Sequence, residues 1–125
     1  MKLLLDTNVV LWWLEDAPTL SARARRVIAD GRNRVAVSAV VIWEIRTKAA
    51  LGKLTLPEDF REALETQRFE WLAITAPHAH VAGMLPPHHR DPFDRMLVAQ
   101  ARVEGLTLVT RDPQFKSYGI PLLGA

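Results

Sequence analysis

The sequence predicts an α/β fold in which helices cover both faces of a mainly parallel sheet. Short apolar runs, which are typical of buried strands, alternate along the chain with segments whose apolar residues recur at helical spacing. Serine and aspartate, which favour helix starts, directly follow several of those runs. The 125 residues are 49% hydrophobic and 24% charged, so we expect one globular domain over residues 1–125.

Polar residues set the element boundaries in the first half of the chain. The turn Asp6-Thr7-Asn8 ends an apolar run, and helical spacing begins at once. Ser21 and Ser38 are predicted helix caps, and Gly52 is a predicted stop. The predicted elements are a strand over 3–5, a helix directly after it, a helix over 21–30, a strand over 34–37 and a helix over 38–50.

Proline and glycine mark the boundaries in the second half. Asp91-Pro92 and Asp112-Pro113 each combine a helix cap with proline at the first helical position. Gly105 is the stop signal for the longest of these helices. The predicted elements are a helix over 57–68, a strand over 71–75, a short helix after 77, a loop over 86–90, a helix over 91–104, a strand over 106–109, a helical turn after 112 and a strand over 120–123.

The composition excludes several classes of function. Cysteine is absent, so neither a disulfide framework nor a thiolate metal site is possible, and the composition suits a reducing compartment. The apolar stretches are too short to span a bilayer, and the start lacks the small-residue cleavage site of a signal peptide, so we expect a cytoplasmic protein. The net charge of +2 comes from 16 Lys and Arg against 14 Asp and Glu. If several acids surround a cation, the remaining surface is basic and suits a polyanionic substrate.

Two aspartates follow predicted strands. Asp6 comes directly after the first strand, and Asp112 comes shortly after the strand over 106–109. Ligands of open parallel sheets bind at the carboxyl ends of the strands, so both positions suit a site. Each residue also precedes a helix start, and capping is therefore the alternative explanation for both. Thr110 is placed to hydrogen-bond a carboxylate or a water in the same pocket.

Two further acids lie on predicted helices. Glu44 shares a helical face with apolar residues, where a carboxylate is costly unless it is paired or bound to a metal. The alternative for Glu44 is a surface ion pair with Lys48, one turn later. Asp94 heads an apolar stripe and should point toward the sheet, although the helix dipole favours an acid there in any case. Asp91 is interpreted mainly as a cap.

We expect these acids to meet at one end of the sheet. The four principal carboxylates are Asp6, Glu44, Asp94 and Asp112. At close range they would repel one another strongly and need a cation, and oxygen ligands select Mg²⁺ or Mn²⁺ over zinc. Hydrated Mg²⁺ between carboxylates and a phosphate can activate water against a phosphodiester. The adjacent histidines at 88–89 are poorly placed to grip zinc, and we expect the loop His88-His89-Arg90 to contact substrate instead.

Three segments together resemble the PIN domain family. They are Leu3-Leu4-Leu5-Asp6-Thr7-Asn8-Val9, the stretch from Val37-Ser38 through Glu44-Ile45 to Leu54, and His89-Arg90-Asp91-Pro92-Phe93-Asp94-Arg95 with Leu108-Val109-Thr110-Arg111-Asp112. The resemblance covers nearly the whole chain and is nearest to the VapC ribonuclease toxins of type II toxin–antitoxin systems. It implies a three-layer α/β/α sandwich around a central, mainly parallel, Rossmann-like sheet.

The resemblance also implies a function, an endoribonuclease that uses Mg²⁺, for which Mn²⁺ can substitute. It carries the catalytic and metal-binding roles onto Asp6, Glu44, Asp94 and Asp112, with Asp91 as an outer member. The expected partners are an RNA substrate, a small cognate antitoxin whose tail fills the acidic groove, and a second copy of the chain in a homodimer. The alternative is a noncatalytic RNA-binding or scaffold domain of the same fold.

Other residues are expected to have accessory roles. Those expected to orient water or ligands are Thr7, Asn8 and Thr110, and those expected to contact RNA are Arg90, Arg95 and Arg111. Arg95 is also placed to pair with Asp91, one turn earlier.

The stretch over 9–14 is apolar on all sides, so it must be buried within the chain or meet a partner. Burial within the domain is the default expectation, and in the alternative Trp12 or Trp13 anchors the contact with a partner.

A receiver-like signalling domain is the rival fold, but it needs a phosphoacceptor aspartate at the end of a central strand. The second and third predicted strands end instead at Ser38 and Thr75.

Overall fold

A parallel sheet forms the centre of the structure, a computed structural model that describes residues 1–88 and 90–125. Its strands are β1 (Lys2–Leu5), β2 (Arg34–Ser38), β3 (Glu70–Leu72), β4 (Thr107–Thr110) and β5 (Leu122–Gly124). They lie in the order β3-β2-β1-β4-β5, and each neighbouring pair is parallel. Helices cover both sides of the sheet, so the predicted α/β/α architecture is confirmed.

The helices begin and end largely where local signals predict. They are α1 (Thr7–Leu14), α2 (Ala22–Ala29), α3 (Ala39–Ala50), α4 (Phe60–Glu65), α5 (Ala76–Met84) and α6 (Pro92–Glu104), with a 3-10 helix at Pro113–Tyr118. The hydroxyls of Ser21 and Ser38 accept N–H groups in the first turns of α2 and α3 at 3.1 and 3.0 Å. Gly105 ends α6 in the left-handed conformation, with φ of 66°. Among the described helices, none combines the length and the apolar character that crossing a bilayer requires.

The prediction of a helix over 57–68 is wrong in its extent, since the structure has only the shorter helix α4 in this range. Asp59 precedes α4 without a capping hydrogen bond from its side chain. Beyond α4, the side chain of Gln67 accepts a hydrogen bond from the Trp13 indole at 3.0 Å and donates one to the Ala63 carbonyl at 3.1 Å. This tertiary contact holds Gln67 outside the helix as the chain turns toward β3.

The strand predicted over 71–75 is also too long, because it includes a helix cap. The N–H of Thr75 donates to His78 Nδ1 at 3.0 Å, and the Thr75 hydroxyl accepts the His78 N–H at 3.4 Å. This capping box draws Thr75 out of the strand and starts α5 one residue before Pro77. The other element ends differ from the prediction by one or two residues.

The carboxyl ends of β1, β2 and β4 meet at one edge of the sheet. β1 lies between the other two strands, with Leu4 paired to Ala36 of β2 and Leu5 paired to Val109 of β4. The N–H of Asp6 donates to the Val109 carbonyl at 3.0 Å, so the chain leaves β1 beside the end of β4. Because α3 follows β2 and the 3-10 helix follows β4, Glu44 and Asp112 are brought to this edge. The leucines of β1 are fully buried in the core that fixes it.

Candidate active site

Asp6 lies directly after β1, where it both caps α1 and faces the edge of the sheet. Its buried side chain accepts the N–H of Thr7 and the hydroxyl of Thr110, each at 2.7 Å. The capping explanation and the site hypothesis therefore describe the same side chain. Because a carboxylate offers about four acceptor positions, these two bonds leave Asp6 able to accept further ligands.

Glu44 lies on the buried face of α3. The Thr7 hydroxyl donates to its Oε1 at 2.7 Å, and the Lys48 ammonium donates to its Oε2 at 2.5 Å. The ion pair that the sequence offered as the alternative is therefore present. The carboxylate is nevertheless buried at the wall of the cavity described below, so it is not a surface pair of the usual kind.

Two helix starts supply the remaining acids. Asp91 caps α6 and accepts two N–H groups of its first turn, at 2.8 and 3.4 Å. Asp94 lies in that turn and is half-buried. Asp112 caps the 3-10 helix by accepting the N–H of Gln114 at 2.9 Å, and its own N–H donates to the Thr110 hydroxyl at 3.1 Å.

These acids line one cavity of about 400 Å³ at the carboxyl edge of the sheet. The sequence-predicted residues on its wall are Asp6, Thr7, Asn8, Glu44, Asp91, Asp94, Arg111 and Asp112. Thr110 lies behind the wall and links Asp6 to Asp112 through its hydroxyl. The wall residues that the sequence did not assign to the site are Val9, Trp12, Lys48 and Pro113. Of these, Lys48 could have been found from its place one turn after Glu44.

The crowding of acids changes their affinity for protons. The pKa of the Asp94 carboxyl is raised to about 8, first by burial and then by the negative charges of Asp6, Asp91, Glu44 and Asp112. The pKa of Asp6 is also above its ordinary value. Burial raises it, and the hydrogen bonds from Thr110 and Thr7 offset only part of that increase. A bound cation would favour the charged forms and reverse both shifts.

The atoms around the cavity that could bind a metal are oxygens of carboxylates and hydroxyls, which are the ligands that a hard divalent cation prefers. Within residues 1–88 and 90–125, no three His, Asp or Glu side chains are grouped closely enough to hold an ion as they stand. Hydrogen bonds from Thr7, Thr110 and Lys48 occupy the carboxylates of Asp6 and Glu44. An incoming ion would share these oxygens with the hydrogen-bond donors or displace them.

Arg95 joins the end of α5 to α6. Its guanidinium donates at 2.9–3.0 Å to the carbonyls of Ala82, Leu85 and Pro86. Arg90 is exposed immediately before α6. Neither arginine is among the described residues that line the cavity, so their contact with RNA stays a prediction, as does that of His88. His89, from the same predicted contact loop, lies outside the described residues.

Arg111 lies on the cavity wall and is fixed by several contacts. Its guanidinium donates to the carbonyl of Thr19 and, at 2.9 Å, to that of Ala125, and it lies 4.8 Å from the centre of the Trp12 ring. Trp12 and Trp13 are half-buried and pack against the core. Much of the apolar surface of α1 is therefore covered within the chain, and a partner contact of the two tryptophans stays a prediction.

The chain is similar to proteins of known sequence and structure. The sequence model described as the PIN domain matches residues 3–121. Ribonuclease VapC22 of Mycobacterium tuberculosis is 29% identical over an alignment of 129 positions, which covers 94% of this chain and 92% of the relative. VapBC2 from Rickettsia felis, bound to a promoter DNA fragment, has a TM-score of 0.76 at 22% identity and covers 99% of this chain and 98% of its own. DNA-bound VapBC from Salmonella typhimurium has a TM-score of 0.75 at 21% identity, with the same coverages of 99% and 98%.

Proposed function

The chain belongs to the PIN domain family, and from that membership we propose that it is a divalent-metal-dependent endoribonuclease that acts as the toxin of a type II toxin–antitoxin pair. The observation that carries this proposal is the cavity at the sheet edge. Five carboxyl groups line it, and burial together with their charges raises the pKa of Asp94 to about 8. The similarity to a ribonuclease over 94% of the chain supports RNA as the substrate.

We propose Mg²⁺ as the resident ion, with Mn²⁺ able to substitute. Asp6 and Asp94 would be its primary ligands, and Glu44 and Asp112 would complete its shell, partly through water. When bound, such an ion would lower the pKa of a water molecule, and its own positive charge would stabilise the scissile phosphate. The proposed ligands fit this role because they are carboxylates, the donors that hard cations prefer.

Two threonines keep the proposed ligands in position. Thr110 and the N–H of Thr7 hold Asp6, while the hydroxyl of Thr7 holds Glu44. These bonds connect the ends of β1 and β4 with α3, so that the carboxylates are oriented before substrate arrives. Preorganisation of this kind lowers the reorganisation needed during reaction. We propose that Asn8, exposed at the rim, orients water.

The charge distribution outside the cavity favours a polyanionic substrate. Five of the 14 Asp and Glu and two of the 16 Lys and Arg line the cavity, which leaves nine acids and fourteen bases over the rest of the chain. RNA phosphates bind lysine and arginine without regard to sequence. We propose Arg90, Arg95 and Arg111 as the contacts nearest to the site.

The partners we propose are a small antitoxin and a second copy of the chain. Two structures of the same fold are DNA-bound VapBC proteins, and a further one is a toxin–antitoxin complex from Klebsiella pneumoniae, which supports the antitoxin. Exposed apolar side chains such as Trp43 and Met84, with 63% and 83% exposure, are suited to protein contacts. We propose a cytoplasmic location, since a toxin of this kind acts where cellular RNA is present.

The test is cleavage of RNA by the purified protein with Mg²⁺ or Mn²⁺ and with a chelator. The wild type should cleave only when the metal is present. Asp6→Asn, Glu44→Gln and Asp94→Asn should each lower the rate on the order of a hundredfold or more while remaining folded by circular dichroism. Asp59→Asn is the matched control and should cleave at the wild-type rate, because Asp59 is exposed and makes no side-chain cap bond.

Chelator-resistant cleavage that survives all three substitutions would refute the carboxylate–metal mechanism. RNA binding without cleavage would favour the noncatalytic alternative. For the partners, light scattering measures the oligomeric state, and co-purification with the product of a short neighbouring reading frame tests the antitoxin. A monomer that captures no such protein would refute this part of the proposal.

A further inference from the structure

Lys48 places a positive charge on the wall of a cavity that is lined by five acidic residues. Its Nζ lies 2.5 Å from Glu44 Oε2. The other basic residue among the described residues of the wall, Arg111, donates to main-chain carbonyls and lies over Trp12. Of these two, Lys48 is therefore the one that an ion pair joins to a carboxylate of the cavity.

Lys48 compensates a charge that is largely shielded from solvent. The Glu44 side chain is only 5% exposed, whereas that of Lys48 is 45% exposed. A buried carboxylate without a compensating partner is costly, so the ammonium stabilises Glu44 in the metal-free protein. The Thr7 hydroxyl occupies the other Glu44 oxygen at 2.7 Å, and both oxygens are thus engaged.

From this arrangement we propose that Lys48 is an internal counter-ion of the cavity, which occupies Glu44 until a divalent cation enters and so weakens the binding of that cation. The inference rests on the proposed metal-dependent function. Two cations that need the same carboxylate exclude or repel each other at short range. The incoming ion must therefore displace the ammonium from Glu44, and the cost of breaking this pair lowers its affinity.

A second i,i+4 ion pair provides the comparison. Arg61 Nε lies 3.0 Å from Glu65 Oε1 on α4, and the two side chains are 80% and 56% exposed. Exposed pairs of this kind contribute little, because water solvates both partners when the pair is broken. Arg61→Met is therefore a matched control that removes the same type of contact away from the cavity.

The experiment is calorimetric titration of Mn²⁺ and Mg²⁺ into the wild type, Lys48→Met, Lys48→Arg and Arg61→Met. Methionine keeps an unbranched, helix-favouring side chain while removing the charge. Lys48→Met should bind Mn²⁺ about tenfold more tightly, which corresponds to about 1.4 kcal/mol. Lys48→Arg and Arg61→Met should bind like the wild type. Without metal, Lys48→Met should melt below the wild type, and Mn²⁺ should raise its melting temperature by more.

Wild-type or weaker affinity in Lys48→Met would overturn the inference while leaving the proposed metal centre intact. A wild type that binds neither ion would instead refute the metal centre, and the inference with it. A further measurement needs only the wild type: amine labelling of Lys48, followed by mass spectrometry, should become faster when Mn²⁺ frees the ammonium. An unchanged labelling rate at saturating Mn²⁺ would also overturn the inference.

Discussion

Replacing Asp94 with asparagine should stabilise the metal-free protein at neutral and alkaline pH. In the folded chain, burial and the charges of Asp6, Asp91, Glu44 and Asp112 raise the pKa of this carboxyl from 3.8 to about 8. The unfolded chain keeps a pKa close to the ordinary value. Between the two values the unfolded state loses its proton first, so the stability of the wild type falls as the pH rises. An asparagine amide has no titrating proton to lose in this pH range and therefore escapes this penalty.

The expected gain is smaller than the change in pKa alone would give. A tenfold change in proton affinity corresponds to about 1.4 kcal/mol, so the full change sets a ceiling of about 6 kcal/mol. Asp94 is only half-buried in an open cavity, where water and salt screen its neighbours. We therefore expect Asp94→Asn to raise the free energy of unfolding by about 2 kcal/mol at pH 8 and by clearly less at pH 5.

Urea denaturation in the presence of EDTA, at both pH values, measures this difference. Asp59→Asn is the control, since this exposed aspartate should give no pH-dependent gain. Saturating Mg²⁺ should reverse the order, because the ion favours the charged carboxylates of the wild type. A gain of the same size at both pH values, or none at pH 8, would refute the electrostatic reasoning.

Three further substitutions test what holds the site in place, each by urea denaturation. Thr110→Val should lower the free energy of unfolding by about 2 kcal/mol and slow RNA cleavage, because the buried hydroxyl donates to Asp6 and accepts from the N–H of Asp112. An unchanged free energy of unfolding and an unchanged cleavage rate would contradict this prediction. Ser38→Ala should lower the free energy of unfolding by about 1 kcal/mol, because α3 loses its N-cap hydrogen bond. An unchanged free energy would show that this hydrogen bond does not stabilise α3. Gly105→Ala should cost about 1 kcal/mol because its φ is 66°, and a gain in stability would contradict the strain.

Local signals predicted much of the fold. The caps at Ser21, Ser38 and Asp91 and the stop at Gly105 depend on one or two neighbouring residues, and all four are present. A local capping box between Thr75 and His78 and one tertiary contact lie at the two boundaries that were wrong. The bond between Gln67 and Trp13 joins residues 54 positions apart, and no local pattern reveals it.

The candidate site shows the same division. Asp6 and Asp112 could be placed at one sheet edge because parallel strands share the direction of their carboxyl ends, and Asp94 could be turned toward the sheet because it heads an apolar helical stripe. The sequence presented an ion pair and a functional role as competing explanations for Glu44. Burial of the carboxylate, with the lysine stem reaching in from the surface, lets the pair and the cavity position coexist. The directions of long side chains such as Arg95 depend on which carbonyls lie nearby, and spacing alone does not give them.

The ends of the RNA products distinguish hydrolysis by water from attack by the RNA itself. Attack by water leaves a linear phosphate monoester on one product and a hydroxyl on the other. Attack by the neighbouring 2′-hydroxyl, which acid–base side chains can promote without a metal, leaves a 2′,3′-cyclic phosphate. Mass spectrometry of products formed with Mg²⁺ should show linear monoester ends from the wild type, and almost no product from Asp94→Asn. Cyclic phosphate ends from both proteins would contradict the claim that this carboxylate cavity directs hydrolysis by water.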